Sequence, residues 1–442
     1  MKKVVEFITL GCKVNQYETN AMAQKFLEKG YEVLEENRVN NLDKVPDICI
    51  INTCTVTNMS DRKSRQMLRK VKETNPQTVV VAVGCYAQVA KDTLKEIPEI
   101  DLVLGNNEKV NIVEYVEKYL SEHIDNIEIE DVMQSREFSD FGDITFTEKT
   151  RAVIKIQDGC DRFCSYCIIP YARGRVRSRK PQSIISEIEK IAEEGIKEVV
   201  ITGIHIASYG KDFKNEYHLI DLLEEINKIK LIERIRLGSI EPLLITDEFV
   251  ERLKKLDKVC HHFHLSLQSG CDETLKRMNR RYTTEQFEEI TRRLRNTYED
   301  VKLTTDIIVG FPGETEEEFN ETYKFLEKIK LTKTHVFKYS PRKGTKAADM
   351  PNQLDGTVKD ERSKALIELN DINEHEFTEK FIGRVMDVLI EKEIKDKPDY
   401  YEGYTRNYIK VIVHCMSADI TGKIVDVEIK EAVKDYAIAN MA

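Results

Sequence analysis

The sequence lacks any long apolar run. No window approaches the roughly 20 consecutive apolar residues that a membrane span needs, so no membrane partner is expected. A secretory leader is not expected either: the opening "MKKVVEFITLGCKVNQ" is basic and then briefly apolar, and Glu6 interrupts the run after two valines. Nor is there a surplus of positive charge. Lys and Arg total 68 against 78 Asp and Glu, a net charge of −10, which argues against loose, non-specific grip on nucleic acid but leaves room for a local basic surface. What is present is a large core. Apolar residues make up 41% and charged residues 33% of 442 positions, the balance of a globular chain with two or three domains. A cytoplasmic location is expected. Ten cysteines in such a chain should be mostly reduced, so metal or redox chemistry outranks disulfides.

Periodicity divides the chain. Short apolar runs at Val4–Leu10, Ile48–Asn52, Val79–Val83 and Leu102–Gly105 read as strands, with charged helix-period stretches between them. This is βα alternation with a parallel sheet. The pattern dissolves over 121–148 into acidic, weakly periodic sequence, read as a linker. A second alternation follows, with strands expected at Arg151–Ile156, Glu198–Ile201, Arg234–Leu237, Phe263–Leu267, Lys302–Val309 and His335–Tyr339. Six βα units predict a partial barrel with its chemistry at the strand C-termini. A charged helix, Lys359–Lys380, comes next, and the β-branched runs of the tail read as a small antiparallel β-barrel. The expected architecture is thus α/β, with domains at 1–120, 149–377 and 378–442.

The stretch "GCDRFCSYC" places Cys160, Cys164 and Cys167 in one loop after the first strand of the second alternation. Polar neighbours Asp161, Arg162 and Ser165 argue against three core cysteines. A structural zinc site wants four ligands, and a fourth would have to come from a remote part of the chain. Thiolates also hold iron–sulfur clusters, and three on a four-iron cluster leave one iron open for a ligand that comes and goes. A second trio is dispersed. Cys12, Cys54 and Cys85 each fall just past an expected strand, and parallel strands bring their C-terminal ends to one edge of a sheet. Gly11 and Gly84 would let the backbone approach a bulky ligand. Cys49, Cys260, Cys271 and Cys415 read as structural.

"CDRFCSYC" resembles the CxxxCxxC loop of radical S-adenosylmethionine enzymes, in spacing, in the aromatic Tyr166 before the third cysteine, and in its place after strand one. In that superfamily the open iron takes the amino and carboxylate groups of S-adenosylmethionine, and one-electron reduction yields a 5′-deoxyadenosyl radical. With "TLGCKVNQYET", "NTCTVT", "GCYAQ", "HLSLQSG", "LKRMNRRYT" and "DIIVGFPGET" in order, nearly the whole chain resembles the methylthiotransferase family. Its end domain, the RNA-binding TRAM barrel, matches the tail from about Thr378. The resemblance implies two 4Fe-4S clusters, two equivalents of S-adenosylmethionine per turnover, a one-electron reductant and a sulfur donor, and conversion of C–H to C–S–CH3. "LGCKVNQ", "CIIPYARG", "GIHIASYG" and "HVFKYSPRKGT" look most like the branch acting on N6-threonylcarbamoyladenosine 37 in the anticodon stem-loop of tRNA. The isopentenyladenosine and ribosomal protein S12 aspartate branches are the alternatives. Outside the family, a different radical enzyme using Cys12, Cys54 and Cys85 for electron relay or metal capture and a non-enzymatic, metal-stabilised RNA-binding protein stand as competing readings.

Strand ends supply the expected S-adenosylmethionine contacts: Tyr166, Gly203, Ser239, Glu241, Gln268 and Asp306. The superfamily often has two glycines and a glutamate after strand two, whereas "ITGIHI" has one glycine and no glutamate. In "YARGRVRSRK", Arg173, Arg175, Arg177 and Arg179 would share a side if extended, a track for tRNA phosphates; pairing with acidic neighbours is the other reading. "NRRY" (Asn279–Tyr282) would extend the track. The tail from Thr378 carries ten Lys and Arg against twelve Asp and Glu, so RNA binding by it rests on the resemblance. Tyr400, Tyr401, Tyr404 and Tyr408, near Arg406, are candidates for clamping bases, or for core.

Overall fold

The computed structural model describes residues 2–34, 45–124, 127–146, 150–416 and 419–442. The N-terminal unit runs β1 (Val4–Thr9), α1 (Lys13–Glu28), β2 (Glu32–Leu34), β3 (Ile48–Thr53), α2 (Asn58–Thr74), β4 (Val79–Gly84), α3 (Cys85–Val89), α4 (Lys91–Lys95), β5 (Leu102–Val103) and α5 (Ile112–Glu122). Its sheet has the order β2-β1-β3-β4-β5 and is parallel throughout. Alternation makes both faces apolar: Val5, Phe7, Ile48, Ile50, Val81 and Val83 pack under α1 and α5, while Cys49, Ile51, Val80 and Ala82 pack under α2.

The segment 121–148 forms no strand and no helix beyond the end of α5 among its described residues; 125, 126, 147 and 148 lie outside them. It is not a free linker. Ile127, Ile129, Val132, Phe141 and Ile144 are buried, so it straps the N-terminal unit. Their irregular spacing hid this from a periodicity reading.

The second unit comprises β6 (Arg151–Asp158), α6 (Ile169–Arg173), β7 (Arg177–Ser178), α7 (Pro181–Glu193), β8 (Glu198–Gly203), α8 (Leu219–Asn227), β9 (Arg234–Leu237), β10 (Ser239–Ile240), α9 (Asp247–Leu253), β11 (His262–Leu265), α10 (Asp272–Arg277), α11 (Thr284–Thr297), β12 (Lys302–Val309), α12 (Glu316–Ile329) and β13 (Lys333–Lys338). Two four-stranded sheets result, β7-β6-β8-β9 and β10-β11-β12-β13. The six expected strands are present, joined by the short β7 and β10. Period-2 alternation sorts the residues. Ile154, Ile156, Ile201, Ile235, Phe263 and Leu303 join the helices in one core. The alternate positions, among them Arg151, Lys155, Arg236, His262, His264 and Lys302, point the other way, into a polar lumen.

Helix α13 (Gly356–Glu379) leads to β14 (Val385–Glu393), β15 (Tyr400–Thr405), β16 (Lys410–His414), β17 (Ile424–Val433) and β18 (Tyr436–Met441). They close a barrel in the order β14-β15-β16-β18-β17, in which β16 and β18 pair parallel and the other pairs antiparallel. This barrel docks on the N-terminal ends of the central strands. Arg234 donates to Tyr404 O (3.0 Å), Arg236 to Arg406 O (3.1 Å) and Lys302 to Tyr408 O (3.2 Å).

Candidate functional site

Strand β6 ends at Asp158, and Gly159 turns the chain with φ +73°; a Cβ there would lie 1.8 Å from Arg175 O, so only glycine fits. The loop beyond is tied down on both sides. Cys160 N donates to Gly174 O (3.0 Å), Ser165 N to Met278 O (3.0 Å) and Ala347 N to Ser165 O (2.7 Å). Cys160, Cys164 and Cys167 lie within electrostatic reach of one another. Burial and the neighbouring sulfurs push Cys160 up to about 11 and Cys167 up to about 12. Thiols so crowded become thiolates when a cation joins them. Arg280 Nη1 donates to Cys164 Sγ (3.4 Å), and its Nη2 to Glu241 (3.1 Å). Burial works against the charge on Glu241, but the hydrogen bond from His205 and the charges of Arg280, His205 and Arg162 hold its carboxyl down to about 2.

The dispersed trio converges. Cys12 caps the start of α1, Cys54 follows β3 and Cys85 opens α3. Because β1, β3 and β4 are neighbours in one parallel sheet, their C-terminal ends share an edge. A Cβ on Gly11 would sit 2.9 Å from Cys54 Sγ, and one on Gly84 would sit 2.7 Å from Thr53 O, so both glycines make the approach possible. Burial raises Cys54 to about 11, with Cys85 and Cys12 adding to the effect, and Cys12 feels Cys85 in turn. Arg173, reaching across from the C-terminal end of α6, donates from Nε to Cys85 Sγ (3.1 Å). Around it lies a buried network: Lys109 to Glu18 (2.6 Å), Lys155 to Glu18 (2.7 Å) and Asp158 (2.6 Å), and Arg173 to both carboxylates. These three cations face two anions, which leaves a net positive charge beside the N-terminal trio.

Among the described residues, no three His, Cys, Asp or Glu side chains converge as a single metal ion requires. All-thiol sets held by hydrogen-bonding arginines suit a wider group, an iron–sulfur cluster.

One cavity lies between the loop that follows Cys54 and the loop that carries Cys167. Its volume is about 230 Å³, and it is lined by Val56 and Thr57, just past Cys54, and by Tyr166 and Cys167. Gln268 and Asp306 line it too, so three of the expected S-adenosylmethionine contacts meet beside a cluster cysteine. Gln268 is held at φ +73°, a conformation that costs about 1–3 kcal/mol and persists only where its surroundings enforce it. Here Gln268 N donates to Asp306 O (2.8 Å) and Ile308 N to Gln268 O (2.9 Å). Arg342 clamps the N-terminal loop over this cavity, reaching Thr55 (2.6 Å), Asn58 (2.7 Å) and Asp61 (2.7 Å). The other expected contacts lie elsewhere. Glu241 is engaged with Arg280, Gly203 packs on Gln157, and Ser239 faces a larger cavity in the lumen.

The arginine track does not form. Arg173, Arg177 and Arg179 are at most 1% exposed and spent on internal partners. Arg173 meets Glu18 and Asp158, Arg177 donates to Arg173 O (2.7 Å), and Arg179 meets Glu187 and Tyr17. The segment is not extended: α6 and the Gly174 turn break it, and β7 has only two residues. Arg175 alone of the four is exposed, paired with Asp161 (3.2 Å) and resting over Phe163. Arg280 of "NRRY" is likewise internal. Nor do the tail's tyrosines form an open clamp. Tyr401 is core, Tyr404 and Tyr408 stack on each other, and Tyr408 also stacks on His262 of the lumen. Tyr400 is exposed beside His414. Sequence reasoning missed Glu18 and Arg342, each recognisable only from partners far along the chain.

Comparison with known proteins covers the whole chain. The radical SAM superfamily profile matches residues 154–326, the uncharacterized protein family UPF0004 residues 4–105 and the TRAM domain residues 379–442. The chain is 42% identical to threonylcarbamoyladenosine tRNA methylthiotransferase MtaB of Bacillus subtilis, across 98% of this chain and 95% of that protein. It is 39% identical to the protein of the same name from Aquifex aeolicus, over 90% and 97%. The tRNA-2-methylthio-N(6)-dimethylallyladenosine synthase of Moorella thermoacetica is 34% identical over 98% and 96%. Among solved structures, the radical S-adenosylmethionine methyltransferase TsrM from Kitasatospora setae shares the fold, with a TM-score of 0.57 at 18% identity over 77% of each chain.

Proposed function

Because this chain belongs to the radical S-adenosylmethionine methylthiotransferase family, we propose that it replaces the C2 hydrogen of N6-threonylcarbamoyladenosine 37 in tRNA with a methylthio group. The observation that carries the reading is the pair of three-cysteine sets, each at strand ends of its own unit, with a cavity between Cys167 and the loop that follows Cys54. Cys160, Cys164 and Cys167 would hold the 4Fe-4S cluster of the radical chemistry, and Cys12, Cys54 and Cys85 a second, sulfur-carrying one. When bound, these groups and two equivalents of S-adenosylmethionine supply the radical, the sulfur and the methyl group. The chain supplies position. Arg280 and Arg173 donate to one sulfur of each set. Tyr166, Gln268 and Asp306 shape the wall where S-adenosylmethionine would lie. Arg342 fixes the loop after Cys54 against the barrel, which sets the separation between the two centres and excludes water between them.

The relatives named for threonylcarbamoyladenosine are the more similar of those compared, and they support that branch over the dimethylallyl one. The anticodon stem-loop, a one-electron reductant and a sulfur donor complete the reaction, in the cytoplasm. Among the described residues no helix is long and apolar enough to cross a membrane. Mass analysis of tRNA nucleosides from a deletion strain tests the reading. The 2-methylthio nucleoside should vanish and its precursor remain; an unchanged nucleoside profile refutes it. Anaerobic reconstitution should give about eight irons per chain, and about four would remove the second cluster.

A further inference from the structure

A cavity of about 490 Å³ lies in the lumen, closed on one side by Tyr404, Tyr408 and Lys410 of the C-terminal barrel. That is ample for a small-molecule group. His264 lines it and contacts Asp306 of the neighbouring cavity (3.2 Å). Lys13 lines it too, and also lines a smaller cavity that contains Cys12. Through His264 and Lys13 it adjoins the cavities that hold Cys167 and Cys12.

Its lining is cationic. Lys13, Lys302, Lys333 and Lys410 face Glu374 and Asp435. Lys302 (3.4 Å) and Lys333 (3.0 Å) share the single carboxylate of Glu374, and Lys410 is engaged by Glu402 (2.9 Å). Lys13 makes no hydrogen bond or ion pair among the described residues. His262 is buried with Nδ1 unpartnered, its Nε2 lying 3.3 Å from Thr304. A buried imidazole nitrogen without a partner, beside an ammonium that reaches the same open-mouthed cavity, is a group awaiting a ligand.

We propose that this cavity seats the acyl arm on N6 of the target adenine, with Lys13 and Lys302 taking the arm's carboxylate and His262 a neighbouring polar atom. The proposal rests on the function assigned above and adds the means of choosing the substrate. A threonylcarbamoyl arm ends in a carboxylate and a hydroxyl. A dimethylallyl arm is apolar and would strip water from the lysines without replacing it, which disfavours it.

The test uses the full chain and two anticodon stem-loop RNAs. One carries threonylcarbamoyladenosine; the other is identical except that the threonyl carboxylate is a primary amide. Equilibrium binding should favour the acid by about ten- to a hundredfold, the range for a buried charge-assisted contact. Lys13→Met and Lys302→Met should each shrink that ratio towards one by weakening the acid alone, seen in KM more than in kcat. Lys13→Met removes a side chain without structural partners, so it carries the test if Lys302→Met fails to fold. Equal binding of acid and amide by the unaltered protein overturns the proposal, even where the acid RNA is methylthiolated and the function stands. So does a loss in the variants that falls equally on both RNAs, which would mean that the lysines hold backbone phosphates. Failure of the function itself has a different signature: no methylthiolation of the acid RNA and turnover of a dimethylallyl one.

Discussion

Arg342→Ala should separate sulfur insertion from radical generation. The side chain is 6% exposed and joins the barrel to the loop that follows Cys54, through Thr55 (2.6 Å), Asn58 (2.7 Å) and Asp61 (2.7 Å). Removing one partner of a buried ion pair costs about 3–5 kcal/mol. The low end applies here, because Asp61 keeps the hydrogen bond from Thr55 (2.8 Å) and some exposure to water. About 3 kcal/mol is roughly a hundredfold in the equilibrium for opening that loop. Hydrogen exchange of the amides of Ser60 and Asp61, which the Thr57 cap protects, should then speed up by about that factor. Cys160, Cys164 and Cys167 are untouched, so deoxyadenosine should still form while methylthiolated product falls. Unchanged exchange together with unchanged product would refute the clamp.

Three further outcomes are expected. Cys164→Ala should abolish deoxyadenosine formation, whereas Cys54→Ala should keep it and lose the methylthio product; product from the latter would make the N-terminal trio structural. Arg175→Ala should lower the salt slope of tRNA binding by about one at most, since the other three arginines are internal, and a larger drop would mean that they reach the RNA after all. Glu241, held down to about 2 in the folded chain against an ordinary 4.5, binds fewer protons folded than unfolded. It adds stability that is full above about pH 4.5 and lost as pH falls towards 2, so melting temperatures of Glu241→Gln should fall less steeply with acid across that window; identical slopes would refute the assignment.

How much of this was legible beforehand depended on the range of the interaction. The cysteine placements were, because a strand end is a local event and adjacency of β1, β3 and β4 then does the rest. The core of the central unit was, because alternation sorts Ile154 from Lys155 without knowledge of any partner. The arginines were not. A guanidinium looks the same in sequence whether it faces phosphate or carboxylate, and the carboxylate that takes Arg173 lies 155 residues away. The desolvation cost of burying Arg173 is met by that remote pairing together with Asp158, and it is the remote partner that turns a supposed RNA track into the seam between two domains. Tyr404 and Tyr408 obey the same rule. In the sequence they suited a base clamp or a core equally, and only the docking of the barrel on Arg151 and Arg236 decides that they are covered. On another face of this barrel Tyr400 and its neighbour His414 form an exposed aromatic pair.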